Sequence, residues 1–447
     1  MRLACYFERQ FIAFLGLLAM ILPAAAQPVV ISVSGGSGVE ISPQLYGVNY
    51  VWDQVPGAEF GSFQSLLTRV THYTLARYPG GWNAERLDWA HNIETRQAPG
   101  RPGIDAADFL AAVSLATFIT PSRMAVAHPQ NIGSVVNQSV RLVEQYGAQV
   151  ADWEIGNEWW LQAGAAKNGN KYAMNLENYG LLLGAVVPAM KAANPSIKIY
   201  ATGDWRSPES FASMREAAGP QAWSQIDGIS LHIYCGVLDP ATMCANIGPS
   251  LAQIRQITGK QAIYVSEWAA GARQNPGDMG IRNAAYTMGL LQDLAFAGVQ
   301  MAAYWPPVKS VPAVALLADD YSDGYATGYL FGWMAQYYRG TALQVSGPLR
   351  AVAAQNGGTV AVMVAAGAAP EPDVRVSLQG LSVHNVISAQ VMYNPPGGDG
   401  EGKQVAFNNL PVLLRSGADG AQYLEFGLNP GTAARGTGYE IAKIILN

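Results

Sequence analysis

Two carboxylates close short β-branched runs in a chain that carries few charges. Glu158 ends "VADWEIGNE" (150–158), and Glu267 stands near the end of "QAIYVSEW" (261–268). A carboxylic acid facing a carboxylate has the makings of an acetal-splitting pair. The protonated group donates to the leaving oxygen while the ionised group attacks the carbon. A separation of about 5–5.5 Å suits the double-displacement route that retains configuration. Mutual repulsion helps to sort the roles. With Glu267 negative, Glu158 keeps its proton; once Glu267 is esterified, Glu158 ionises more easily and can activate water. Either glutamate alone would read as a structural ion-pair partner, and it is the matched placement that argues for chemistry.

The neighbouring residues have assignable work. Asn157 sits beside Glu158, placed to hydrogen-bond a sugar 2-hydroxyl, a contact that strengthens as positive charge develops on the ring. Arg77, in "LARYPGG", supplies a cation that favours an ionised Glu267, with a plain rim ion pair as its alternative reading. In "DGISLHIY", Tyr234 offers a hydroxyl to the nucleophile and His232 can orient a hydroxyl or Glu158. Asn49 closes another run and joins the candidate substrate contacts. Trp82 and Trp305 are the candidate platforms for the apolar C–H face of a sugar ring, among six tryptophans (also 159, 160, 205 and 268) at or just after run ends. The five histidines are scattered with no His-x-x-x-His spacing, so no metal and no cofactor is expected.

These residues need a scaffold that brings run ends together. Eight β-prone runs alternate with helical patterns: 44–50, 73–79, 123–129, 150–158, 197–205, 226–234, 261–268 and 298–305. "DAADFLAAVSLAT" reads as a helix capped by Asp105, and "NYGLLLGAVVPAMKAANP" as one stopped by proline. Eight strand–helix units predict an α/β fold with a (β/α)₈ TIM barrel over 45–339, its site at the carboxyl ends of the strands. An open doubly wound sheet is the competitor, but the first run lacks a Gly-rich nucleotide loop. After residue 340 brief strands separated by Gly, Asn and Pro predict an antiparallel β-sandwich over 340–447. The leading segment, 27–44, is expected to join that sandwich.

Composition narrows the classes further. Half the residues are apolar and 13% are charged, so a large core is available and extended disorder is not expected. The net charge is −5 with no Lys/Arg cluster, which argues against nucleic acid or an anionic membrane surface as partner. Residues 1–26 read as an export signal: Arg2 and Arg9, an apolar stretch from Phe11 to Leu22, then Ala24-Ala25-Ala26. A secreted or periplasmic protein is therefore expected, with no membrane attachment after cleavage; an uncleaved anchor is the alternative. In such a compartment Cys235 and Cys244, in "CGVLDPATMC", are expected to pair. Two free buried thiols are the alternative, suited to a protein that stays in the cytosol.

"WEIGNE" followed by "YVSEW" resembles the acid/base and nucleophile segments of the clan-A glycoside hydrolases. "RYPGG", "WEIGNE", "AMKAANPSIKIYATG", "DGISLHIY" and "SEW", in this order, look most like family 51, the α-L-arabinofuranosidases. The resemblance spans most of residues 45–340 and implies a barrel followed by a sandwich. It implies Glu158 as acid/base and Glu267 as nucleophile, with Arg77, Asn157, His232 and Tyr234 lining the sugar subsite. One departure stands out: family 51 carries Asn directly after "RYPGG", whereas here Trp82 intervenes before Asn83. "GGWNAERLDW" resembles family 44 endoglucanases, and family 39 β-xylosidases share the same clan features. An oligo- or polysaccharide is thus the expected partner. An arabinofuranosidase, an endo-β-glycanase or β-xylosidase, and a non-catalytic carbohydrate-binding protein all stay open.

Overall fold

The computed structural model describes residues 28–94, 103–161, 169–235, 244–270, 279–308, 314–367, 371–395, 405–418, 420–428 and 438–447. The export signal expected over 1–26 lies outside them. Among the described residues no helix is long and apolar enough to cross a membrane.

The strands, in chain order, begin with β1 (Val29–Ile41), β2 (Gly47–Asn49) and β3 (Leu75–Tyr78), then a small hairpin, β4 (Leu87–Asp88) and β5 (Ile93–Glu94). Next come β6 (Ala116–Thr120), β7 (Asp152–Ile155), β8 (Lys198–Gly203), β9 (Gly228–Tyr234), β10 (Ala262–Ala269) and β11 (Met301–Tyr304). Strands β2, β3 and β6 to β11 form a closed eight-stranded parallel barrel, sealed where Ala303 and Tyr304 of β11 pair with Gly47 and Val48 of β2. The expected (β/α)₈ barrel is therefore present.

One strand differs from the sequence reading. The third barrel strand is Ala116–Thr120, not the run at 123–129, which instead holds a five-residue helix, Arg123–Ala127. The expected helix over 105–117 stops at Ala112. Its cap is as read, with Asp105 accepting from the amide of Asp108. Apolar "LATFIT" follows closely on an apolar helix face, and a short apolar run carries no period that separates helix from strand. His128, near the end of the run at 123–129, is an exposed residue at the close of the helix.

Inside the barrel, alternate residues point inward. Leu75, Tyr200, Tyr264, Met301 and Ala303 fill the lower interior as a separate apolar cluster. Their two phenols are satisfied there, Tyr264 with Thr117 at 2.9 Å and Tyr200 with Asp152 at 3.1 Å. One layer higher the interior turns polar, which is where the candidate site begins.

The remaining strands are β12 (Gly340–Ser346), β13 (Arg350–Asn356), β14 (Thr359–Ala366), β15 (Glu371–Gln379), β16 (Val386–Tyr393), β17 (Ala406–Asn409), β18 (Leu413–Ser416), β19 (Gln422–Leu428) and β20 (Glu440–Leu446). With β1 they make one ten-stranded sheet in the order β17-β16-β20-β14-β13-β12-β1-β15-β19-β18. Every pairing is antiparallel except β1 with β15. The sheet encloses its own core of Ile31, Val33, Val362, Val374, Val376, Leu424 and Ile444. Its other face contributes Met363, Met392 and Ile441 to the core that runs through the barrel's helices. Alternation along β20 explains both contacts.

Candidate active site

Two local backbone devices aim the glutamates. After β7 the chain turns through Gly156, at φ +77°, and Glu158 itself stands in the left-handed region at φ +44°. A Cβ on Gly156 would come within 2.0 Å of the Ser122 Oγ, so only glycine fits there. Glu85 fixes the same turn. Its carboxylate accepts from the Asn157 amide (2.8 Å), the Ser122 amide (2.7 Å) and hydroxyl (2.8 Å), and the Arg123 amide (2.7 Å). Burial pushes the Glu85 carboxyl up from its ordinary range, and those four hydrogen bonds pull against that shift.

The second device is a β-bulge. Along β9 and β10, Leu231 pairs with Val265 but His232 pairs with Glu267, so Ser266 is an extra residue. Ser266 still points inward, sharing a 2.7 Å hydrogen bond with Ser230. The bulge then lets Glu267, the very next residue, reach the interior as well. Without it, strict alternation would turn Glu267 toward the surrounding helices.

The two carboxylates meet at the barrel mouth. One oxygen of Glu158, one of Glu267 and a ring nitrogen of His232 all lie within 4.8 Å of one another. His232 Nδ1 is 3.0 Å from Glu158 Oε1 and 3.3 Å from Glu267 Oε2. Tyr234 donates its hydroxyl to Glu267 Oε2 at 2.8 Å. Burial, then the charges of Glu267 and Glu158, hold that phenol well above its ordinary pKa of 10, so it stays a donor. Glu158 is the more open of the pair, its side chain 14% exposed against 5% for Glu267.

Arg77 lies beneath them, fully buried. Its Nε and Nη2 donate to the two oxygens of Glu154 (2.7 and 3.3 Å). Nη1 donates to Glu267 Oε1 (2.7 Å) and Asn49 Oδ1 (2.8 Å), and Nη2 also to Asn157 Oδ1 (3.1 Å). All five guanidinium hydrogens are thereby used. Burial alone would push this group down, but Glu154 and Glu267 together raise it, so it stays charged. Asn49 has no spare capacity either: its amide donates to the carbonyls of Ser266, Ala303 and Tyr304. Arg77 thus stands beside Glu267 as its sequence reading had it, and neither Arg77 nor Asn49 has a polar atom left for the substrate contact also expected of them. Both lie under the site and support Glu267, because their polar atoms are buried and already paired.

Asn157 is different. With Oδ1 taken by Arg77, its Nδ2 is a buried donor without a hydrogen-bond partner. The tryptophans also divide. Trp159, Trp160, Trp205 and Trp268 are at most 5% exposed and serve packing, whereas Trp82 and Trp305 are partly exposed. One face of Trp82 already carries the Arg123 guanidinium, 4.6 Å from the ring centre. The Trp305 ring lies against Gly81, where a Cβ would come within 2.7 Å of it. Cys235, just past β9, and Cys244 are joined as a disulfide with Cα atoms 5.2 Å apart.

Sequence reasoning missed Glu154, Glu85 and the two inward serines. Glu154 had a signal, since it alternates with Asp152 on β7 and must face the interior with it. Glu85 had none. Glu158, His232 and Glu267 are the one described cluster with the spacing of metal ligands. The Arg77 cation 2.7 Å from Glu267 already supplies the positive charge that a metal would bring there.

A closed eight-stranded parallel barrel with a mostly antiparallel ten-stranded sheet beside it is a fold that this chain shares with solved structures of glycoside hydrolases. Solved structures of that kind match nearly the whole chain. A family 51 α-L-arabinofuranosidase from Bifidobacterium longum is 14% identical with a TM-score of 0.66, covering 94% of this chain and all of its own. An α-L-arabinofuranosidase from Thermotoga maritima, solved with arabinose, gives the same identity and TM-score over 93% of this chain and 99% of its own. A family 44 endoglucanase from Clostridium thermocellum is 12% identical with a TM-score of 0.59, covering 94% of this chain and all of its own. At the level of sequence, the chain matches no family model and no curated protein.

Proposed function

We propose that this protein is a retaining glycoside hydrolase, most like an α-L-arabinofuranosidase. The observation that carries the reading is the approach of Glu158 and Glu267 within 4.8 Å, bridged by His232. Glu267 attacks the anomeric carbon while Glu158 gives its proton to the departing glycosidic oxygen. The glycosyl ester on Glu267 is then opened by water, whose proton passes to Glu158, restoring both groups. Arg77 and Tyr234 each fix one oxygen of the nucleophile, and the free Nδ2 of Asn157 is available to a sugar 2-hydroxyl. Trp305 offers the aromatic face of the sugar site. The amino-terminal signal and the disulfide support a secreted or periplasmic enzyme.

A second substrate reading, an endo-β-glycanase, is favoured by the "GGWNAERLDW" stretch and by a likeness to a bifunctional glucanase-xylanase from a metagenome, 15% identical with a TM-score of 0.59 over 94% of this chain and 99% of its own. A panel of aryl glycosides and arabinan, xylan and β-glucan oligosaccharides tests both. Release of single arabinose units is expected, and mixed-length glucan or xylan products would select the second reading. Turnover that persists unchanged in Glu267→Ala would end the mechanism, and binding without any turnover would leave a carbohydrate-binding protein.

A further inference from the structure

A second polar pocket lies far from the barrel mouth, where the ten-stranded sheet meets the helix Ala326–Tyr337. It encloses about 630 Å³ and is lined by Tyr337, β16, the end of β17 and Lys443 of β20. Strand register sets three side chains in a row on one face: Lys443 pairs with Gln390, and Gln390 with Asn409. Lys443 is only 5% exposed. Its Nζ lies 4.6 Å from the Trp333 ring centre and 4.8 Å from that of Tyr337. No acidic side chain is among the lining residues. Lys443, Gln390, Asn409 and Ser388 make no side-chain hydrogen bond to the described residues.

A buried ammonium held against two rings, in a pocket lined by no carboxylate, is chemically suited to take an anion. Burial lowers the Lys443 amine to about 8, so it carries most of its charge at neutral pH with little solvation to keep it. Beside it stand two amides and a hydroxyl, suited to hydroxyl groups, and the apolar side chains of Leu410 and Val412, suited to a C–H face.

We propose that this pocket binds a uronic acid residue of a polysaccharide, with Lys443 on the carboxylate and Gln390 and Asn409 on ring hydroxyls. The choice of a sugar rests on the carbohydrate reading of the barrel, whereas the anion site rests on Lys443 alone. Titration calorimetry on the full chain, with glucuronate and digalacturonate against glucose and acetate, reads binding independently of hydrolysis. Saturable binding of a uronate is expected, at least about tenfold tighter than glucose or acetate. Lys443→Met should weaken it about tenfold or more while hydrolysis of aryl glycosides is unchanged. Asn409→Ala, at an exposed position, should weaken it severalfold and decides the matter if the lysine variant fails to fold. No uronate binding to the wild type, equal binding of glucose or acetate, or binding indifferent to both variants would overturn the proposal. Loss of all turnover with uronate binding intact would fault the barrel reading instead.

Discussion

At the scale of single residues, Glu267 is held at both oxygens: Arg77 donates to one and Tyr234 to the other. Removing the carboxylate in Glu267→Ala should lower kcat by about 10⁴-fold or more, since no neighbour can form the ester. Tyr234→Phe should cost about 10- to 100-fold in kcat/KM by loosening that oxygen. The phenol's raised pKa gives a further, signed expectation. Tyr234 stays protonated up to and beyond pH 10, so the alkaline limb of kcat/KM below that pH belongs to another group. Profiles of wild type and Tyr234→Phe should keep the same alkaline midpoint, and a shifted midpoint would show the phenol titrating. The candidate residues were legible where they close β-prone runs, as Glu158, Glu267, His232 and Tyr234 do. Glu85 was not singled out, because a lone glutamate looks the same in sequence whether it is buried or faces water, whereas Glu154 could have been found from its alternation with Asp152 on β7.

At the scale of elements, the turn after β7 is positioned from outside its own strand. Glu85 ties it to Ser122 and Arg123, at the start of the helix that follows β6. Glu85→Gln would turn one acceptor oxygen into a donor facing amide hydrogens. It should lower kcat about tenfold or more while KM moves less, because Glu158 is displaced rather than removed. Gly156→Ala should destabilise the fold by about 1–3 kcal/mol, from the clash with Ser122 and the left-handed backbone together. Denaturant unfolding of that variant checks the value, and a loss within about 0.5 kcal/mol would show that the turn relaxes at little cost. The bulge at Ser266 has no sequence signature, since an extra residue in a buried strand leaves the apolar run intact. The third strand was misplaced for a related reason: "LATFIT" continues the apolar helix before it with only Val113 and Ser114 between them and no Gly or Pro to mark the break.

At the scale of the whole molecule, barrel and sheet share one continuous apolar core, joined through the helices Met279–Phe296 and Ala326–Tyr337. That core carries many phenols. Burial raises Tyr46, Tyr50, Tyr78, Tyr179, Tyr264 and Tyr304 above the ordinary value of 10. The unfolded chain therefore loses these protons near pH 10 while the folded chain keeps them, so stability must fall as pH rises past 10. The urea midpoint should be insensitive to these groups from pH 7 to 9 and drop steeply above 10. A midpoint that holds steady to pH 11 would mean the phenols are not buried as described. The barrel itself was legible from eight strand–helix units, because parallel strands covered on both faces read as short apolar runs. The parallel pairing of β1 with β15 was not, since nothing in an isolated strand names its neighbour.

The proposed double displacement would leave one direct trace, a glycosyl ester on Glu267. Glu158→Ala lacks the base that opens that ester, so with an activated aryl α-L-arabinofuranoside the intermediate should accumulate. Mass spectrometry of the digested protein should then find one pentosyl unit on the peptide that contains Glu267. A pentosyl unit on any other peptide, or full hydrolysis with no adduct and no loss of rate in Glu158→Ala, would contradict the two-glutamate site.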